Sequence, residues 1–182
     1  MNSEPHPTPK RVRFVELNAQ ALRMLADGDL AGGSAETGVA LDAYFVSDRA
    51  RSILAYRADQ VAEDPSAAPW IMRVAVSEPD GAVVGDAGFH GPPDAAGVVE
   101  VGYSVVHRYR RQGYARAMLR ALLVRAAAEP GVRTVRATVR SDNIASLATL
   151  AGFGFVRVGE RGDERDGLEF VFEVPADAIP GE

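Results

Sequence analysis

The chain contains no cysteine, which excludes a disulfide framework, a thiolate metal site and any acyl-cysteine chemistry. Histidine is nearly as scarce. His6, His90 and His107 lie far apart, without His-x-x-x-His spacing, so each reads as loop or surface and no metal site is expected. No apolar run approaches the length of a membrane span before an arginine interrupts it, and the leading MNSEPHPTPK lacks the apolar stretch of a secretion signal. The expected location is therefore the cytoplasm, with no membrane partner. Neither Gly-x-x-x-x-Gly-Lys-Ser/Thr nor Gly-x-Gly-x-x-Gly after a strand occurs, so the usual nucleoside-triphosphate and dinucleotide readings lack their residues. A surplus of positive charge is also missing. The net charge of −5 argues against a nucleic-acid partner, and the arginines at 108 to 111 are too local to make a duplex footprint.

What remains is an ordinary globular composition, 47% hydrophobic and 25% charged over 182 residues, about right for one domain with a substantial core. Prolines at 5, 7 and 9 make residues 1–10 a loose tail, residues 11–175 the domain, and residues 176–182 a frayed end. Strands are expected at 12–17, 71–76, 83–89, from 98, at 134–139, 155–158 and 168–174. Helices are expected after an Asn18 cap to about Asp27-Gly28, from Ser47 or Asp48 through Val61, from Tyr114, and at 144–150. Small and polar residues make 31–38 a loop, and charge makes 159–167 another. Glu78-Pro79-Asp80-Gly81 turns a hairpin, and residues 93–97 lead antiparallel into the strand at Val98. The helical connection from there to the 134–139 strand permits parallel pairing, where a hairpin would not. The fold class is thus α/β: a single mixed, mostly antiparallel sheet with flanking helices.

The stretch from Val98 to Ala128 carries the functional signal. Val99, Val101, Tyr103 and Val105 alternate with Glu100, Gly102 and Ser104 as in a pleat. The period then becomes helical at Tyr114, Ala117, Met118, Ala121, Leu122 and Leu123, with arginines 116, 120 and 125 outward. Between the two lies Arg110-Arg111-Gln112-Gly113-Tyr114-Ala115. The first N–H groups of the helix have no partner within it, and the macrodipole adds partial positive charge there. A pyrophosphate would satisfy both. Gly113 lets a phosphate approach the backbone, small Ala115 keeps the next turn clear, and Arg108, Arg110 and Arg111 are cationic donors.

Arg110-x-x-Gly113-x-Ala115 resembles the Arg/Gln-x-x-Gly-x-Gly/Ala signature of the GNAT superfamily of N-acetyltransferases, which cradles the pyrophosphate of acetyl-coenzyme A. A second block, Ser141-Asp142-Asn143-Ile144-Ala145-Ser146 followed by a short helix and Gly152-Phe153-Gly154-Phe155, is similar to that family's Asn-x-x-Ser, helix, Gly-Phe segment. The resemblance covers residues 11–174 and is nearest to the branch of ribosomal-protein alanine acetyltransferases. Phe89-His90-Gly91-Pro92-Pro93 ahead of Glu100-Val101-Gly102-Tyr103 belongs to it. It implies a GNAT-like sheet with a splayed parallel strand pair, and acetyl-coenzyme A as cosubstrate without a metal. An amine of a peptide, protein N-terminus or small molecule would be the acceptor, and a homodimer is a compatible assembly.

On that reading the pyrophosphate meets the N–H groups from Arg111 to Ala115, including Gln112, Gly113 and Tyr114, while the pantetheine amides pair with exposed backbone at Val105 and Val106. One of those strand N–H groups also polarises the thioester carbonyl. Glu100 is the candidate general base, acting through water, and the alternative is a carboxylate on a solvated face. Ser146 is the candidate donor to the leaving thiolate and Asn143 a cofactor contact; both could instead cap the helix. Tyr103 and Tyr114 are reserve acids, otherwise packing residues. Phe45, Tyr56 and Trp70 are acceptor contacts or core. An α-amine of pKa about 7.7 to 8.0 costs about 1 to 1.4 kcal/mol to neutralise at pH 7, against roughly 4.6 for a lysine amine, which favours the former slightly.

Two departures stand out. Ala148 and Gly152 occupy positions that are often basic in relatives, which weakens a contact to the cofactor's 3′-phosphate there, and the Thr-Glu-Ala often following the signature is missing. A non-catalytic acyl-coenzyme A sensor or partner-binding domain would keep Gly113 and Asn143 but have no need of Glu100 or Ser146. A nucleotide-binding protein is the third reading.

Overall fold

The computed structural model of the chain describes residues 9–163 and 167–178; His6, most of the leading tail and the last four residues lie outside them. Seven strands form one sheet: β1 (Val12–Glu16), β2 (Arg73–Ser77), β3 (Val83–Phe89), β4 (Val98–Val105), β5 (Thr134–Arg140), β6 (Val156–Asp163) and β7 (Gly167–Pro175), in the order β1-β2-β3-β4-β5-β7-β6. Every neighbouring pair is antiparallel except β4 with β5. That parallel pair is held only at Val98↔Thr134, Val99↔Val135 and Glu100↔Arg136. Beyond Glu100 the two strands part, and the sheet opens into a fork.

Among the described residues five α-helices flank the sheet: α1 (Ala19–Ala26), α2 (Leu30–Thr37), α3 (Asp48–Glu63), α4 (Tyr114–Ala128) and α5 (Ile144–Ala151). The crossover helix α4 buries Met118, Leu119, Leu122 and Leu123 against Val99, Val101, Val135 and Ala137 of the fork strands. Each such side chain stabilises the fold by about 1.5–3 kcal/mol relative to exposure. The opposite layer packs α1 and α3 through Leu22, Leu25, Leu54 and Ala58 around Phe45, Ile71 and Val74. The caps follow the sequence: Asn18 accepts from Ala21 N–H at 2.8 Å, and Ser47 accepts from Ala50 N–H at 3.4 Å.

Three local expectations need correction. Residues 31–37, expected with Gly38 as a loop, are helix: Asp29 caps the start, accepting from Gly32 N–H at 2.8 Å, and left-handed Gly38 closes the end. A helix survives there because Gly33 lies so close to α1 that a Cβ would stand 2.5 Å from Leu25 Cδ2. Packing, not propensity, decides it. Residues 159–163 extend β6 rather than forming a loop, with Arg161 donating to Glu169 Oε2 across the hairpin at 2.8 Å and Arg157 stacked on Phe170 at 3.6 Å. The arginines of α4 do not simply face solvent. Arg116 and Arg120 lie over Phe153, and Arg125 lies over Trp70 and donates to Pro69 carbonyl.

After β7, Ala176–Ala178 make a 3-10 turn in which Ala176 is buried and donates to Arg133 carbonyl at 2.9 Å. Among the described residues no helix is long and apolar enough to cross a membrane.

Candidate functional site

The head of α4 lies beside the open end of the fork. Arg111 has φ 60° and Gly113 φ 90°, so the backbone turns left-handed twice just ahead of the helix. An arginine tolerates that region only at a cost, whereas at φ 90° the absence of a Cβ makes glycine the natural occupant. The room there is not the constraint: a Cβ at 113 would meet only Lys10 Cγ, at 3.6 Å. Unlike α1, α3 and α5, α4 has no side-chain cap, leaving its leading N–H groups to face outward. Ala115 adds only a methyl group. Tyr114 belongs to this turn through its backbone alone. Its ring is buried against Tyr109 and its hydroxyl lies 3.2 Å from Ser77 Oγ, which removes it as a reserve acid.

The loop's side chains are more committed than the sequence suggests. Arg108 pairs with Asp42, so it is not the open cationic donor expected. Arg110 donates through Nε to Val105 carbonyl at 3.1 Å, and Gln112 donates to Arg108 carbonyl at 2.8 Å. Arg111 is exposed. Near α5, Arg116 fills the space over Gly152, where a Cβ would stand 2.4 Å from its Nη1. A cation from α4 thus stands where the helix after Ser146 has no basic side chain.

The backbone edge of β4 corrects one expectation. Val106 N–H donates to Val84 carbonyl at 2.9 Å and its carbonyl accepts from Tyr109 N–H, so Val106 cannot offer an open edge. By the alternation of an antiparallel ladder, the residues whose N–H and C=O face away from β3 and into the fork are Val105 and Tyr103. Val105 therefore turns its backbone into the fork, and Tyr103 does the same.

The fork contains a cleft of about 210 Å³ lined by residues including Arg49, His90, Gly102, Tyr103, Asn143 and Ser146. A larger open concavity, about 410 Å³, lies over mostly exposed side chains of α1 and the following turn, with no part of the fork in its lining. Asn143 caps α5, its Oδ1 accepting from Ser146 N–H at 3.1 Å, which brings Ser146 to the cleft wall. The buried Tyr103 hydroxyl has no hydrogen bond of ordinary geometry. Burial pushes its pKa up, against smaller opposing influences of the Ser146 and Thr149 hydroxyls. Thr138 Oγ1, from β5, is another buried oxygen on the same cleft without a hydrogen-bond partner among the described residues.

On the α3 side of the sheet, Glu100 sits at the last paired rung of β4 and β5. Its Oε1 is 3.6 Å from His90 Nδ1 and 4.0 Å from Arg161 Nη2. Further along this face Asp86, paired with Ser104 across the sheet, is buried and accepts from the Tyr44 hydroxyl at 2.8 Å. Burial raises the Asp86 pKa to about 6, against the lowering influence of Tyr44, Arg49 and Arg57. Burial, with the Asp86 charge, also raises the Tyr44 pKa.

Sequence reasoning missed three residues here. His90 reads as a loop histidine, and its meaning comes from the cross-strand neighbour Glu100. Asp86 and Tyr44 carry no motif; a lone carboxylate inside the apolar run 83–89 was the available signal. Of the proposed acceptor aromatics, Phe45 is wholly buried and Trp70 packs edge-on to Phe89, so both serve the core, while Tyr56 is exposed. His107 lies exposed in the short turn after β4, as expected. Among the described residues no cluster of His, Cys, Asp and Glu has the form of a metal site.

Comparison with known proteins bears on this arrangement. The GNAT acetyltransferase domain pattern matches residues 36–156. An uncharacterized N-acetyltransferase, YjdG of Bacillus subtilis (strain 168), is 32% identical over 87 residues, 48% of this chain and 50% of its own. The alignment thus spans about half the length of that relative. Among solved structures, the ribosomal L7/L12 alpha-N-protein acetyltransferase RimL in complex with coenzyme A superposes with a TM-score of 0.65 at 17% identity, over 94% of this chain and 98% of that one. Mycobacterium smegmatis RimJ in complex with CoA-disulfide gives 0.63 at 21% identity, over 96% and 88%. A variant of the spermidine N-acetyltransferase SpeG from Vibrio cholerae gives 0.62 at 14% identity, over 91% and 94%. At these identities the solved structures speak to the fold.

Proposed function

This chain belongs to the GNAT acetyltransferase family, and from that premise we propose that it moves an acetyl group from acetyl-coenzyme A to an amine by direct attack on the thioester. The observation that carries the reading is the uncapped, glycine-headed α4 beside a parallel strand pair that opens after Glu100. The two features supply the two things a long phosphorylated thioester needs, an anion cradle and an unpaired strand edge.

The residues fit that ligand as follows. The N–H groups from Arg111 to Ala115 hold the pyrophosphate, with Arg111 as the exposed cation. The fork-facing backbone of Tyr103 and Val105 pairs with the pantetheine amides, and one of their N–H groups stabilises the oxyanion that develops at the thioester carbonyl. Arg110 gives up its contact with the Val105 carbonyl as that edge is used. The acceptor comes from the α3 side of the sheet, with the Glu100 carboxylate standing behind the cleft. Ser146, set at the opposite wall by Asn143, protonates the departing thiolate.

The acceptor is an amine of a protein N-terminus, a peptide or a small metabolite. The named neighbours themselves divide between ribosomal-protein and spermidine acetyltransferases. The experiment is to incubate the protein with acetyl-coenzyme A and a library of amines and to follow free thiol. Amine-dependent thiol release is the expected result. Tight cofactor binding without release across the library contradicts catalysis and points to an acyl-coenzyme A sensor.

A further inference from the structure

Building on the acetyltransferase reading, we infer that the atom which takes the acceptor's proton is Nε2 of His90, with Glu100 acting as the residue that positions the imidazole. Three observations carry this. The first is how firmly the residue is held. His90 N–H donates to Glu100 carbonyl at 2.8 Å, and His90 carbonyl accepts from Arg57 Nη1 at 2.9 Å and Gln60 Nε2 at 2.8 Å. A histidine just past the end of β3 is thereby fixed at both backbone polar groups.

The second is the orientation of the ring. Nδ1 faces Glu100 Oε1 at 3.6 Å, longer than a formed hydrogen bond but at a distance that catalytic pairs close when substrate binds. A proton on Nδ1 leaves the lone pair on Nε2. That nitrogen lies over Gly102, where a Cβ would come within 3.1 Å of it. The imidazole has its place because β4 offers no side chain there, and both residues line the cleft of the fork. Glu100 is not part of that lining; it stands behind, at the last paired rung.

The third is the match of base to task. An imidazole, ordinarily near pKa 6.5, is about two units closer to an ammonium than an ordinary glutamate near 4.3 is, and proton transfer benefits from that match. Burial lowers the His90 pKa first of all, Arg57 and Arg161 lower it further, and Glu100 opposes them. The net direction favours the neutral ring, the form that can accept a proton.

The reaction then balances. His90 Nε2 takes one proton from the acceptor ammonium, and the freed nitrogen lone pair forms the C–N bond as the thioester carbonyl electrons move to oxygen. The C–S bond breaks, its electron pair leaves on sulfur, and the thiolate receives the second amine proton by way of the Ser146 hydroxyl. His90 returns its proton to water, so one proton is released for each amide and thiol formed.

Glu100 from β4, Arg57 from α3 and Arg161 from β6 act on His90, and the cleft it lines also carries Arg49 from α3, Tyr103 from β4, Arg140 from β5 and Glu169 from β7. The experiment compares the full chain with His90→Gln and Glu100→Gln in pH profiles of kcat/KM, using an amine found active in the library assay. Coenzyme A affinity and the melting temperature serve as controls for folding. His90→Gln is expected to lower kcat about 100-fold or more, leave coenzyme A affinity unchanged and abolish the acidic limb of the profile, with partial rescue by added imidazole. Glu100→Gln is expected to keep that limb but move it to lower pH, because the carboxylate that stabilises the imidazolium is gone. If His90→Gln keeps both the limb and most of the rate, or if Glu100→Gln alone removes the limb, the proton goes elsewhere and the inference is wrong. Should His90→Gln fail to fold, Glu100→Gln still decides. A wild-type protein inactive toward every amine overturns the underlying reading instead, and this inference falls with it.

Discussion

The hydroxyl of Tyr44 donates to Oδ2 of Asp86 at 2.8 Å, joining the turn before α3 to the middle of the sheet. Asp86 is buried, and its folded pKa of about 6 lies above the value near 3.9 of an unfolded chain. The native state therefore binds more protons than the unfolded state between about pH 4 and 6, and stability attributable to this group falls as pH rises through that window. Asp86→Asn keeps an acceptor for Tyr44 but does not titrate. Urea unfolding of the two proteins should give similar stabilities near pH 4. At pH 7 the variant should be favoured, by on the order of 2–3 kcal/mol. A stability difference independent of pH would contradict this.

Asn143 and Ser146 separate structure from chemistry. Asn143 accepts from the Ser146 backbone N–H, so Asn143→Ala should cost about 1 kcal/mol in unfolding experiments, and Asn143→Asp should recover most of it. Ser146→Ala leaves that bond in place. It should barely change stability while lowering kcat about 100-fold, if its hydroxyl delivers the thiolate's proton. Unchanged turnover in Ser146→Ala would shift that role to the buried hydroxyl of Tyr103.

Gly33→Ala tests why α2 exists. Alanine favours helix by up to about 1 kcal/mol. Here, however, the new methyl would stand 2.5 Å from Cδ2 of a wholly buried Leu25. Overpacking of about 1–3 kcal/mol should win, lowering the melting temperature. A raised melting temperature would show that α2 is held by local propensity instead.

The sheet was largely legible because its signals are local. The change from a period of two at Val99–Val105 to a helical period at Tyr114–Leu123 marks the crossover, and the parallel pairing of β4 with β5 follows from it. Legibility failed where the cause lies in another element. Gly32 and Gly33 look like a loop until Leu25 is placed beside them, and Glu160 and Arg161 look like a loop until β7 is placed alongside. At the site, Gly113, Asn143 and Ser146 announce themselves by spacing. Val106 does not announce that its N–H is already committed to Val84, and His90 acquires a partner only when β3 and β4 pair.

The central claim is that the head of α4 binds two linked phosphates through its backbone, and the titration of coenzyme A into the folded protein and into Gly113→Val tests it. A bulky side chain at φ 90° should distort the turn without unfolding the domain. Saturable binding to the wild type and at least about tenfold weaker binding to the variant are expected, with the melting temperature showing that both are folded. No binding to the intact wild type, or equal affinity in the two proteins, would contradict it.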